Sequence, residues 1–207
     1  MSGMKGPFLL VCGPRGVGKS SVAFQVFLEV MGSGIKAGYV DLDQVSFCRP
    51  VPDQDPDNHR IKVRNLARIW SVYQQAGARC LVAAGDMNGP DVVDAYAAAV
   101  PGLQLSVCYL DAAADTIRER LFARGRGEGP PIPGDELRGN GVASLTRLAE
   151  EAARAAEDPK RLSMGHVRVA TDDQTVAEVA ARVRAELGGW PQTLADSRVP
   201  ITKTDQP

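Results

Sequence analysis

The octapeptide Gly13-Pro14-Arg15-Gly16-Val17-Gly18-Lys19-Ser20 constrains this chain more than any other segment. It satisfies GxxxxGK[ST] at every fixed position. An apolar run, Phe8 to Cys12, precedes it, and an amphipathic stretch, Ser20 to Met31, follows. Strand, glycine-rich turn and helix in that order are the context in which the motif has physical meaning. The glycines let backbone N–H groups converge on phosphate oxygens. The helix N-terminus adds its partial positive charge. Lys19 supplies a point charge for the β- and γ-phosphates, and the Ser20 hydroxyl suits magnesium. The segment reads as a phosphate-binding loop for a nucleoside triphosphate with Mg2+, contacting it through Gly13, Arg15, Gly16, Val17, Gly18, Lys19, Ser20 and Ser21.

Four further apolar runs follow: Ala37–Leu42, Arg79–Ala84, Leu105–Leu110 and His166–Thr171. All five are continuous rather than alternating, which predicts a parallel sheet buried on both faces. Helical segments are expected at Ser20–Met31, Ile61–Gln75, Pro90–Ala99, Asp115–Arg124, Ser144–Glu157 and Thr175–Leu187. Repeated strand–helix order implies an α/β fold with right-handed crossovers. Residues 1–189 form one domain in this reading, and 190–207, polar and without periodicity, an extended or mobile tail. Residues 125–141 are too rich in Gly and Pro for a core element, and a loop of that length is usually functional or disordered.

Composition removes other function classes. The net charge of -1 argues against a strongly basic nucleic-acid binder. No apolar stretch approaches the roughly 20 residues that cross a bilayer. Four cysteines without CxxC spacing, with only two histidines, argue against a zinc site. They read as small buried hydrophobes in a reducing cytoplasm. Nothing in the sequence sets an oligomeric state.

The second run ends Asp41-Leu42-Asp43, and residues two apart on a strand share a face. One carboxylate is placed to accept a proton from a substrate hydroxyl, the other to hold magnesium or its waters; the alternative is a pair of turn residues. Asp86, after the third run, is either a further carboxylate ordering water on the metal or a cap for the next helix. Arg60, Arg64 and Arg68 repeat every four residues on one helix face. They suit an anionic or polyhydroxylated acceptor, or else surface ion pairing. His59 reads as a helix-end residue. Phe47 to Asp57 reads as a substrate-side loop.

The strand, GxxxxGKS, helix and strand ending in Asp-x-Asp resemble the small P-loop kinases: shikimate, gluconate and adenylylsulfate kinases and chloramphenicol phosphotransferase. The likeness extends to Tyr109-Leu110-Asp111 before an arginine-bearing helix, and to Val169-Ala170-Thr171-Asp172 before the last helix. It implies a five-stranded parallel sheet in the order 2-3-1-4-5, with a lid at about 125–141. It implies Asp43 as the base or orienting carboxylate, with Asp41 and Ser20 near the metal. It places Arg120 or Arg124 against adenine, Arg126 on the phosphates and the Thr171 backbone near the base. Shikimate kinase has a glycine triplet where this chain has Gly85-Asp86, which weakens a shikimate assignment. The expected activity is transfer of the γ-phosphate of ATP to a hydroxyl of a small acceptor, through Lys19, Asp43 and Arg126, with Asp41, Asp43, Arg60, Arg64 and Asp86 on the acceptor side. The alternatives are a P-loop ATPase that switches a protein partner and a nucleotide binder that has lost catalysis.

Overall fold

The computed structural model describes residues 6–129, 137–158, 163 and 165–191. In chain order the elements are β1 (Gly6–Cys12), α1 (Lys19–Gly32), β2 (Ala37–Asp41), a 3-10 turn (Gln44–Ser46), α2 (His59–Gln75), β3 (Cys80–Ala84), α3 (Pro90–Ala99), β4 (Leu103–Asp111), α4 (Ala114–Gly125), α5 (Val142–Ala156), β5 (Val167–Ala170) and α6 (Val176–Glu186). The five strands form one parallel sheet in the order β2-β3-β1-β4-β5. Both the class and the order agree with expectation.

The runs of β1 and β3 are continuous because both faces of these central strands are covered by helices, whereas the edge strand β5 exposes Arg168 and Ala170. Side chains alternate across the sheet. Leu9, Val11 and Val82 pack with Val22, Val26 and Val30 of α1, Leu121 of α4 and Val183 of α6. Phe8, Leu10, Leu81 and Ala83 pack on the other face with Leu66 and Trp70 of α2 and Tyr96 of α3. A strand covered on both faces has no polar position to alternate with. The sheet grows from β1 toward β3 and β2 on one side and toward β4 and β5 on the other. The carboxyl end of β1 is therefore a topological switch point, where open α/β sheets form their crevice.

Three local features depart from the sequence reading. β2 ends at Asp41, so Asp43 is not a strand residue; it starts the 3-10 turn with helical backbone angles. Trp190, assigned to the tail, is 4% exposed and belongs to the α1-side core. The Arg184 guanidinium donates to its carbonyl at 2.9 Å, and the rest of the expected tail, 192–207, lies outside the described residues. Cys12, Cys80 and Cys108 are buried as expected, but Cys48 is exposed.

The Gly/Pro-rich segment leaves and rejoins the domain at one point. The Gly139 N–H donates to the Gly125 carbonyl at 3.0 Å, and Leu137 is 1% exposed. The centre of the expected lid, 130–136, lies outside the described residues. Among those described, no helix is long and apolar enough to cross a membrane.

Candidate functional site

The turn from β1 into α1 is built from left-handed glycines. Gly18 has φ +102°, a conformation that excludes an L side chain, and the space beside it is open for 4 Å. At Gly13, φ +143°, a Cβ would sit 2.4 Å from the Leu110 carbonyl oxygen. Helix α1 then begins with no side-chain cap and no acid in its first turn. Thr175 and Glu178 form a capping box on α6, and Asp55 accepts the His59 and Arg60 N–H groups of α2; α3, α4 and α5 lack a side-chain cap as α1 does, but only α1 follows the left-handed glycine turn. The uncapped donors of α1 are left for an anion.

A cavity of about 630 Å³ lies over this helix end, within the usual range of roughly 300–1,000 Å³ for ligand pockets. Arg15, Gly16, Val17, Gly18, Lys19, Ser20 and Ser21 line it, together with Asp41, Asp43, Asp86, Arg120, Arg124 and Thr171. Gly13 lies beneath, offering its carbonyl to Lys19. Phe47, Arg49, Pro56 and Asp57, from the loop after the 3-10 turn, form part of the same wall.

Lys19 stands at the centre of the charges. Its ammonium donates to the carbonyls of Gly13 at 3.0 Å and Pro14 at 3.3 Å and pairs with Asp86 at 2.8 Å. Burial opposes its charge, but the Asp86 and Asp43 carboxylates outweigh burial and raise its pKa above the ordinary 10.5. Burial likewise pushes Asp86 up, and Lys19, with Lys62 and Arg15 behind it, brings it below the ordinary 3.8. Asp86 does not cap the next helix: α3 starts behind Gly89 with no side-chain cap. Asp86 faces the phosphate loop instead, through its pair with Lys19.

Asp41 and Asp43 reach the cavity through a turn rather than a shared strand face. Asp41 Oδ1 accepts the N–H groups of Asp43 at 3.0 Å and Gln44 at 3.3 Å, which bends the chain at the end of β2. Asp43 Oδ1 is 2.6 Å from the Lys62 ammonium. Lys62 has a side chain only 4% exposed, and the sequence reading did not single it out. Its signal was present: Lys62, Leu66 and Trp70, four apart, are the buried residues of α2, so the apolar stripe extended one turn back meets Lys62. The same helix anchors the wall. Asn58 Nδ2 donates to the Ser46 and Cys48 carbonyls and Asn65 Nδ2 to the Val45 carbonyl. His59 opens α2 with Nδ1 2.9 Å from the Tyr96 hydroxyl. Burial, then Lys62, hold its pKa below 6.5.

Two expectations need correction. Arg60, Arg64 and Arg68 are exposed and do not line the cavity. At about 100° per residue, positions two away from Lys62 point roughly opposite to it. Arg60→Ala and Arg64→Ala are expected to change ligand affinity less than twofold and stability by no more than about 0.5 kcal/mol, as for surface substitutions; a tenfold loss of affinity in titration calorimetry would restore them to the site. Arg126 is also outside the cavity. Its guanidinium is 59% exposed and pairs with Glu128 two residues on, at 2.6 Å.

On the opposite wall, Arg120 donates through Nη1 to the Val17 carbonyl at 3.3 Å and the Thr171 hydroxyl at 2.8 Å, and through Nη2 to the Thr171 carbonyl at 2.8 Å. Arg120, one of the two arginines expected to meet adenine, is thus engaged with the backbone on both sides of the crevice.

No protein-family model and no curated protein matches the sequence. Solved structures do match in fold. A gluconokinase from Sinorhizobium meliloti 1021 superposes with a TM-score of 0.57 at 20% identity, over 94% of this chain and 99% of that one. The APS kinase of Mycobacterium tuberculosis, solved with AMPPNP and APS, gives 0.55 at 18% identity, over 90% and 99%. The tunicamycin resistance protein of Deinococcus radiodurans gives 0.54 at 16% identity, over 89% and 96%. At such identities the likeness is one of fold, and the fold of this chain is that of the small P-loop kinases.

Proposed function

We propose that this chain is a magnesium-dependent kinase that passes the γ-phosphoryl group of ATP to a hydroxyl of a small acceptor. The observation that carries the reading is the continuity of one cavity from the uncapped end of α1 to the Asp43–Lys62 pair. One end of it suits a triphosphate. The other offers a carboxylate beside a wall that also presents Phe47, Pro56, Arg49 and Asp57. A hydrolytic switch needs no such second compartment. The structural neighbours point the same way, since they include kinases of gluconate and of APS.

In this reading the loop amides and Lys19 bind the β- and γ-phosphates. Asp43, oriented by Lys62, accepts the hydrogen bond of the acceptor hydroxyl and takes its proton as the oxygen attacks the γ-phosphorus and the bond from that phosphorus to the β-phosphate oxygen breaks, releasing ADP. Ser20, Asp41 and Asp86 are oxygen donors lining the same cavity. That set fits magnesium, which takes one or two carboxylates plus substrate phosphates and keeps several waters. Bound there, the ion would neutralise charge on the bridging phosphate oxygens. Arg124 at the end of α4, with Glu128 and Gly129 after it, lines the cavity. Use of ATP and four free cysteines accord with a reducing cytoplasm.

The purified protein should turn over ATP negligibly alone. With an acceptor it should release ADP and phosphorylated product in equal amounts. A screen of ATP consumption against sugars, aminocyclitols, nucleosides and antibiotics, with product detected by mass, makes the test. Steady hydrolysis without acceptor that responds to an added protein would sink the kinase reading in favour of an ATPase switch.

A further inference from the structure

Helix α4 holds both sides of the crevice. Its Ile117 and Leu121 pack beneath Gly16 of the phosphate loop. Its first turn is tied to the segment after β5, where Asp172 Oδ1 accepts the Ala113 N–H at 3.0 Å. Between these points Arg120 reaches across, with one guanidinium nitrogen shared by Val17 and Thr171 and the other on Thr171 alone. Thr171 is itself fixed, 2% exposed, with its N–H donating to the Asp111 carbonyl at 2.8 Å.

The bond to Val17 has a consequence set by peptide geometry. In a planar trans peptide the carbonyl of one residue and the N–H of the next point in opposite directions. A donor that holds the Val17 carbonyl to one side therefore aims the Gly18 N–H to the other. Gly18 is the residue with open space beside it at the end of α1. Were that peptide to turn over, a carbonyl would face the phosphates in place of a donor. With φ at +102° and no side chain to resist rotation, Gly18 offers little intrinsic barrier to the change.

We propose that Arg120 is a positioning residue for the phosphate loop: by holding the Val17 carbonyl against the anchored Thr171 backbone, it keeps the Gly18 N–H facing the anion. This rests on the reading of the cavity as a triphosphate site and differs from a stacking contact with the base. In the absence of any acceptor, the two roles separate on ligands that carry only part of ATP.

The experiment is titration calorimetry of wild type, Arg120→Met and Arg120→Lys with MgATP, inorganic tripolyphosphate and adenosine, alongside the 15N-resolved amide resonance of Gly18. Arg120→Met should weaken ATP and tripolyphosphate alike, by tenfold or more, leave adenosine unchanged, and move the Gly18 resonance. Arg120→Lys keeps the charge but not the fork that spans two partners, so it should retain most of the loss. Thr171→Val, which removes one acceptor of the clamp and leaves the arginine in place, should weaken tripolyphosphate about threefold; it carries the test if the Arg120 variants do not fold. Loss of ATP affinity with tripolyphosphate unchanged would make Arg120 a base contact and overturn the proposal. Full recovery in Arg120→Lys would reduce its role to charge and overturn it equally. Failure of wild type to bind both ATP and tripolyphosphate would overturn the triphosphate site itself, and this proposal with it.

Discussion

Lys19→Met should remove ATP-dependent phosphorylation and weaken MgATP binding to the point where calorimetry at ordinary protein concentrations no longer detects it. Losing a single preorganised donor to a developing anion costs on the order of 10²–10³ in rate. Lys19 also supplies a full charge at the floor of the cavity, so the loss in kcat/KM should lie at the upper end of that range or beyond. The fold should survive. Asp86, which loses its cation, has a side chain 36% exposed and can be solvated by water. The pH dependence follows from the two shifts. Lys19 is raised, so its contribution to stability is fully present below the unfolded value of 10.5 and fades as pH rises through its folded value. Asp86 is lowered, so its contribution is present above 3.8 and fades as pH falls through its folded value. In wild type the contribution of this pair to stability should therefore be flat between roughly pH 5 and 9 in thermal melts. Normal ATP affinity in the variant would remove the foundation of the functional reading.

The strands and the phosphate loop were legible because their causes are local. A parallel strand buried on both faces must be apolar at every position, and Phe8–Cys12 and Cys80–Ala84 are. A loop that converges on phosphate needs glycine at φ values other residues avoid, and Gly13, Gly16 and Gly18 supply them. Strand order was not legible in this way; it came from the family resemblance, since no residue in a run says which run it pairs with. From the residues alone, the cavity walls were most legible at strand ends, as at Asp41 and Asp86. Lys62 was hidden because its meaning depends on a partner 19 residues away, reached by folding the chain between β2 and α2 back on itself. The arginines at 60, 64 and 68 drew attention by their spacing, but a stripe at helical period says only that the residues share a face. Leu66 and Trp70 decide which face is inward, and they select Lys62. Arg120 shows the same limit in another form: its presence on the helix after β4 was readable, but its bond to the Val17 backbone, 103 residues earlier, was not.

The Asp43–Lys62 pair offers the second large effect, and it separates chemistry from folding. Asp43→Asn should lower kcat by about 10²–10⁴, the usual worth of a positioned general base, with whichever acceptor the screen returns. It should also destabilise the protein, because a buried ammonium 4% exposed loses its counter-charge. Breaking a fully buried pair costs about 3–5 kcal/mol. Here the carboxylate is 44% exposed, and water screens part of the interaction, so about 1–3 kcal/mol is expected. For a chain of this size that is a fall in Tm of roughly 2–12 °C. Lys62→Met leaves a carboxylate that solvent can reach, and should cost less stability while slowing turnover about tenfold through loss of the anchor that orients Asp43. The double variant, Asp43→Asn with Lys62→Met, leaves no unpaired charge. It should recover most of the lost Tm and none of the lost activity. That divergence distinguishes a base held by a lysine from a salt bridge that merely stabilises the wall: in the second case activity would return with Tm. Full activity in Asp43→Asn alone would remove the base assignment, and the proton would then have to leave through another group, with Asp41 and Asp86, which line the same cavity, to test next.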